Sequence, residues 1–236
     1  MSAIYKRELR AFFSTPIGYV FTAIFFAVNG ALFNYMALRD GTSSQVGAYY
    51  MFLMFVFIII VPLLTMKLFS DEKKQKTEQL LLSAPVSISG MVFGKFFAAY
   101  TLFAGTFLFS SLIGWIPLFL YGTPNAGMLV GNTVGILLIG AAFVAIGTFV
   151  SALTESQLVS AIVTMFSIAL LLLISFLNSY ISSAFVREVL NWISIFSRFY
   201  DFAYGVFNFG SLIYYASIVF VFLFLTVRVY EKKRWA

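Results

Sequence analysis

The sequence predicts an all-α integral membrane protein with six transmembrane helices. Composition, the lengths of its apolar runs and the placement of its basic residues carry that prediction. Of 236 residues, 61% are hydrophobic and 10% charged, against about 45–50% apolar and about 25% charged in soluble domains. Thirty phenylalanines need lipid to cover them, because a domain of this size has no core large enough to hide so many rings. The apolar runs recur at lengths near the roughly 20 residues with which a helix crosses about 30 Å of hydrocarbon. Twelve of the fifteen Lys and Arg residues fall on one side of the resulting topology.

Taken in order, the first element is an N-terminal helix over 2–15. Tyr5, Leu9, Phe12 and Phe13 share one arc of it, and Lys6, Arg7 and Arg10 share the other. Such a helix lies in the interface of the inner leaflet; its charges serve equally to orient the first span. The six spans are predicted at 17–38, 47–66, 91–121, 127–153, 158–180 and 211–227, all in one domain covering 1–236. The first run is longer than the core of a signal peptide and has no convincing small-residue cleavage site after it, so it is expected to remain as a span. The third is long enough to tilt or to protrude from the bilayer.

Lys and Arg are retained preferentially on the cytoplasmic side. With the N-terminus inside, Lys6, Arg7, Arg10, Lys67, Lys73, Lys74, Lys76, Lys95, Arg228, Lys232, Lys233 and Arg234 face the cytoplasm, leaving only Arg39, Arg187 and Arg198 outside. An even number of spans then puts both termini inside.

Several function classes lose their usual parts. The chain has neither cysteine nor histidine, which removes disulfides, thiolate sites, the commonest general base and the commonest zinc ligand. Lys67, Lys95, Glu155 and Arg228 map near span boundaries, so no clear ionisable residue lies on a membrane pathway, as proton- or ion-coupled transporters usually require. The segment Gly90-Met91-Val92-Phe93-Gly94-Lys95-Phe96 is one residue short of a phosphate-binding loop and ends without Ser or Thr. Its two glycines fit a close helix–helix contact better. Gly127, Gly131 and Gly135 repeat that four-residue spacing and place a smooth strip on the fourth span, for packing within the chain or between subunits. The basic residues flank apolar spans and form no aromatic-interleaved basic face, so nucleic acid is not an expected partner.

The most specific segment follows the second span, over 69–85. A cytoplasmic helix is expected at 70–83, with Ser70 as cap, Asp71 and Glu72 in the first turn, and Pro85 as the stop. Glu72 with Lys76 and Lys74 with Glu78 are spaced to pair across one turn, and Leu80, Leu81 and Leu82 give the helix an apolar end. The bland reading is an ordinary charged loop. The run 69–95, with Glu72-Lys73, Thr77-Glu78, the three leucines, Pro85-Val86-Ser87 and Gly94-Lys95, resembles the signature of ATP-binding-cassette type 2 exporter permeases. It departs from the family's Gly-Thr-x-Glu-like turn in having Lys76 where Gly is usual and no spacer between Thr77 and Glu78. The resemblance extends over the whole chain and looks closest to the short permeases grouped with the gliding-motility transporter.

This resemblance implies a bacterial inner-membrane permease that carries no cofactor of its own. MgATP would be hydrolysed in two separate ATPase subunits, with a second copy of the chain or a related permease beside it and membrane lipids around it. It also implies ATPase coupling through Asp71, Glu72, Lys73, Lys74, Thr77 and Glu78, with Leu80, Leu81 and Leu82 as the anchor. The outer stretch 181–210 is rich in aromatic residues, including Trp192, Phe196, Phe199 and Tyr200. It reads either as short helices on the outer leaflet or, as similar exporters suggest, as a re-entrant lid over an outer exit, with Arg198 and Asp201 paired across one turn. Two rivals to the exporter are a passive channel or scaffold and an intramembrane enzyme. The first lacks a polar pore-lining stripe, and the second lacks convergent catalytic groups.

Overall fold

Six helices are long and apolar enough to cross a membrane, and among the described residues there is no strand. The computed structural model describes residues 1–38, 43–78, 86–177 and 184–235. Helix α1 (Ser2–Ser14) precedes the first span, α2 (Pro16–Phe33), which Pro16 starts at a position where its missing N–H costs nothing. A π-helical turn, Asn34–Leu38, closes that span. The second span is α3 (Ser43–Thr65), followed by the short α4 (Ser70–Lys74). The long α5 (Ile88–Tyr121) is capped by Ser87, which accepts from the Gly90 N–H at 3.2 Å.

Helix α6 (Ala126–Leu153) is capped by Asn125, which accepts from the N–H groups of Gly127 and Met128 at 2.9 and 3.3 Å. Helix α7 (Gln157–Leu177) is the fifth span; α8 (Ala184–Ile193) and α9 (Ile195–Ala203) are short, and α10 (Phe209–Trp235) is the sixth span.

Six candidate membrane spans are present, as expected; their helices do not share all the ends of the apolar runs, and the expected end of the fifth at 178–180 lies outside the described residues. The largest shift is in α10, which continues eight residues past the end of the apolar run at 227. Its last two turns include the good helix formers Arg228, Glu231, Lys232, Lys233 and Arg234, and Arg228 pairs with Glu231 at 2.8 Å across i,i+3. Loss of hydrophobicity ends the span but not the helix.

Helix α6 is the centre of the bundle. Of its apolar window 72% is buried inside the protein, against 17% to 56% in the other five spans. Small residues permit this. A Cβ at Gly140 would fall 2.0 Å from the Phe103 ring of α5, and one at Gly147 would fall 2.2 Å from Thr65 Oγ1 of α3. Around this axis Phe57, Phe103 and Phe107 pack edge-on and stacked, with centroids 5.1 and 6.4 Å apart. Without a hydrophobic force between helices in lipid, such close packing and interhelical hydrogen bonds hold the spans together. Asn29 of α2 provides one of these networks, donating to Ser110 of α5 and accepting from the Tyr49 hydroxyl of α3.

Helix α1 does more than lie at an interface. Ile4 packs against Gly94, where a Cβ would lie 3.2 Å from its side chain, and the Tyr5 hydroxyl donates to Thr101 at 3.2 Å. The Gly90/Gly94 spacing therefore seats α1 along the start of α5. Ile4 and Phe12 are buried, whereas Phe13, expected on the same apolar arc, is exposed.

Candidate functional site

The charged segment after α3 sits at the end of the bundle that carries both termini. Its short helix is capped from outside. The N–H groups of Phe69 and Ser70 both donate to Ser151 Oγ of α6, at 3.0 and 3.2 Å, and that hydroxyl donates to the Met66 carbonyl at 3.2 Å. Ser70, expected as the cap, lies one residue inside the helix and turns its hydroxyl back to the Met66 carbonyl.

The expected helix is interrupted: its first segment ends at Lys74, Lys76 adopts a left-handed backbone with φ of 57°, Glu78 is helical again, and 79–83 lie outside the described residues. The Thr77 N–H then donates to the Glu72 carbonyl at 3.0 Å, closing the turn. Left-handed backbone is the conformation glycine adopts without a Cβ penalty. The departure noted at Lys76 is therefore a lysine holding a glycine's conformation, and the turn forms despite it. Leu80, Leu81 and Leu82 lie outside the described residues.

With the helix interrupted, the expected Glu72–Lys76 and Lys74–Glu78 pairs do not form, and both acids reach across the structure. Glu72 accepts from Lys95 Nζ of α5 at 2.8 Å and from Arg7 of α1 at 3.0 Å. Lys95 also reaches Glu8 of α1 at 3.2 Å, donates to the Leu68 carbonyl at 2.6 Å, and lies 5.0 Å over the Phe69 ring. It is 1% exposed. Two cations and two carboxylates thus neutralise each other where α1, α4 and α5 meet, as burial of charge requires. Burial pulls the Arg7 pKa down, but the hydrogen bonds and charges of Glu8 and Glu72 outweigh this and hold it above the usual arginine value.

Asp71, Lys73 and Glu78 are tied to three further helices. Asp71 accepts from Gln157 of α7 at 2.7 Å, and Lys73 donates to the Ala152 carbonyl of α6. Glu78 accepts from Lys233 of α10 at 2.9 Å, below the contact of the Phe69 and Tyr230 rings at 4.9 Å. Among the described residues of the segment, Lys74, Gln75 and Lys76 are the exposed ones, at the tip of the turn. Beside it, Glu8, Thr15, Lys67 and Asp71 border a cleft of about 120 Å³ between α1 and the end of α3.

Sequence reasoning missed the partners Glu8, Lys95, Ser151, Gln157 and Lys233. Only Lys95 left a signal, as a lone cation seven residues into a long apolar helix, where an ionisable group is a candidate functional residue by default.

At the opposite end, α9 lies against the glycine strip of α6. Phe199 meets Gly135, the Phe202 carbonyl meets Gly131, where a Cβ would lie 2.5 Å away, and Gly205 meets Gly127. In the structure the strip is occupied by α9 and the turn after it. Phe196 touches Phe55 of α3, with centroids 6.3 Å apart, while Trp192 and Tyr200 are exposed. The expected Arg198–Asp201 pair does not form. Asp201 instead accepts from Asn208 and Ser211 at 2.9 and 3.2 Å, because the turn after α9 brings those groups closer.

The profile of the ABC-2 family of transporter proteins matches residues 2–233. The chain belongs to the ABC-2 transporter family. No curated protein matches it. As an ABC-2 family protein it is a multi-pass membrane subunit with six spans, of a kind that is typically non-catalytic. Among the described residues no group of Asp or Glu is placed to hold a metal ion.

Proposed function

We propose that this ABC-2 protein is the permease subunit of an ATP-driven exporter, and that the Lys95 cluster transmits the motion of partner ATPases into the membrane. The observation that carries this is the neutral group of Arg7, Glu8, Glu72 and Lys95, which fastens α1 and the α4 turn to the base of the long span α5. A force applied to the turn moves a span only if the two are rigidly joined. Asp71 and Lys73 extend the join to α7 and α6, and Glu78 extends it to α10.

This division of labour differs from a direct role for every charge in the segment. Glu72 and Glu78 act as internal struts, while the exposed tip of Lys74, Gln75 and Lys76 meets an acidic surface of the ATPase. The terminal end faces the cytoplasm, as the basic residues require, in a bacterial inner membrane. MgATP is bound by two ATPase subunits, and a second copy of the chain or a related permease completes the pathway. Six spans and the resemblance carried by the run 69–95 support a place among the short permeases grouped with the gliding-motility transporter.

The experiment is co-purification of the ATPase together with transport-linked ATP hydrolysis. The double variant Lys74→Glu, Lys76→Glu should lose the ATPase without disturbing the fold. Glu72→Gln should keep the ATPase bound but weaken the link between transport and hydrolysis. Unchanged assembly and hydrolysis in both variants would show that the turn is only a solvated loop.

A further inference from the structure

At the end of the bundle opposite the termini, Arg198 has no acidic partner among the described residues. The guanidinium carbon of Arg198, on α9, lies 5.9 Å from the ring centre of Trp192 on α8 and 5.8 Å from that of Tyr214 on α10. Its Nε is buried and has no hydrogen-bond partner. The acid one turn on, Asp201, is engaged by Asn208 and Ser211. Aromatic faces attract a guanidinium, but they do not satisfy its N–H groups. An arginine stays charged and presents five donors in a planar fork, and a buried donor left unmet costs more than an average hydrogen bond gains. A guanidinium held this way, charged and with a donor unmet, favours an anionic acceptor.

Position and surroundings narrow the anion. Helix α9 runs beside the first part of α6, from Gly135 to Gly127, which is about 12 Å at 1.5 Å per residue. Trp192, Tyr200 and Tyr204 are exposed around it, as aromatic rings are at the level of lipid headgroups. Next to Trp192, Phe185 and Val189 open an apolar groove of about 450 Å³, with Glu188 also on its border. A cation whose fork suits two phosphate oxygens, beside a groove that suits a hydrocarbon chain, matches an amphiphile.

We propose that Arg198, flanked by Trp192 and Tyr214, binds the phosphate group of an amphiphile in the leaflet opposite the termini, with the hydrocarbon chain on the α8 groove. Phosphate chemistry is common to membrane phospholipids and to soluble phosphate, and the test separates the two sources. Native mass spectrometry of the full chain in detergent would measure retention of phosphatidylglycerol, of phosphate-free diacylglycerol, and of phosphatidylglycerol in competition with inorganic phosphate. Phosphatidylglycerol should be held about tenfold more weakly by Arg198→Gln than by the unaltered chain, with Arg198→Lys between them because it keeps the charge and loses the fork. Diacylglycerol retention should be equal in all three. Displacement by millimolar inorganic phosphate would assign recognition to the phosphate alone, and its failure would assign it to the phospholipid as a whole; either supports the site. Equal phosphatidylglycerol retention by the unaltered chain and Arg198→Gln would overturn it, as would a matching fall for diacylglycerol. No ATPase takes part, so the result stands apart from the exporter reading.

Discussion

Replacing Lys95 by methionine is the sharpest probe of the cluster at the terminal end. Methionine keeps most of the volume and the contact with the Phe69 ring while deleting the charge and three donated hydrogen bonds, to Leu68, Glu72 and Glu8. Removing one partner from a buried ion pair costs about 3–5 kcal/mol. Here the Glu8 and Glu72 side chains keep 14% and 18% of their exposure, and Arg7 still touches both. That places the expected loss nearer 2–3 kcal/mol. Glu72→Gln should cost less, because its amide still accepts. The two changes together should fall short of additivity by about 1–3 kcal/mol, as neighbours in one network do. Unfolding of the purified chain in mixed micelles, read across this double-mutant cycle, gives both numbers. A Lys95→Met chain within about 0.5 kcal/mol of the parent, with no coupling to Glu72, would mean that the cluster is worth no more than an exposed surface pair, and the rigid-join argument would fail.

Other regions give independent tests. Ser151→Ala removes the acceptor shared by the Phe69 and Ser70 amides and should cost about 2 kcal/mol; faster proteolysis of the turn at 75–77 would register the local loosening. Gly135→Val puts a side chain where a Cβ already lies 2.8 Å from the Phe199 ring, so it should destabilise by about 1–3 kcal/mol and expose a cysteine placed at the buried Ile195; unchanged labelling there would refute the seat of α9. Single cysteines at Ser2, Ser43, Thr77, Asn125 and Ala236 should react with an impermeant reagent from outside only at 43 and 125, and reaction at 236 in intact cells would reverse the assigned orientation. Calorimetry of the purified chain with MgATP should show no saturable binding, since Lys95 is committed to Glu8, Glu72 and the Leu68 carbonyl; binding that depends on Lys95 would contradict this.

The sequence by itself determined the solvent, the number of spans and the helical class. Each rests on local properties: run length, side-chain polarity and turn residues such as Ser87 and Asn125 act within a few positions of themselves. The glycine spacing on α6 was legible too, but not its occupant, because a smooth strip does not say which helix will fill it. Tertiary structure decided the rest. In the sequence, Glu72 has a lysine four positions on, yet it pairs with Arg7 and Lys95, 65 and 23 residues away, and Glu78 pairs with Lys233, 155 residues away. Intrahelical pairs gain only a few tenths of a kcal/mol in water. They give way when a neighbouring helix offers a partly buried cation, whose own desolvation demands an acid. The early stop of α4 follows from the same competition. Ser151 of α6 and the ion partners on α1, α5 and α10 fix both sides of the segment, and Lys76 takes the left-handed turn that joins them.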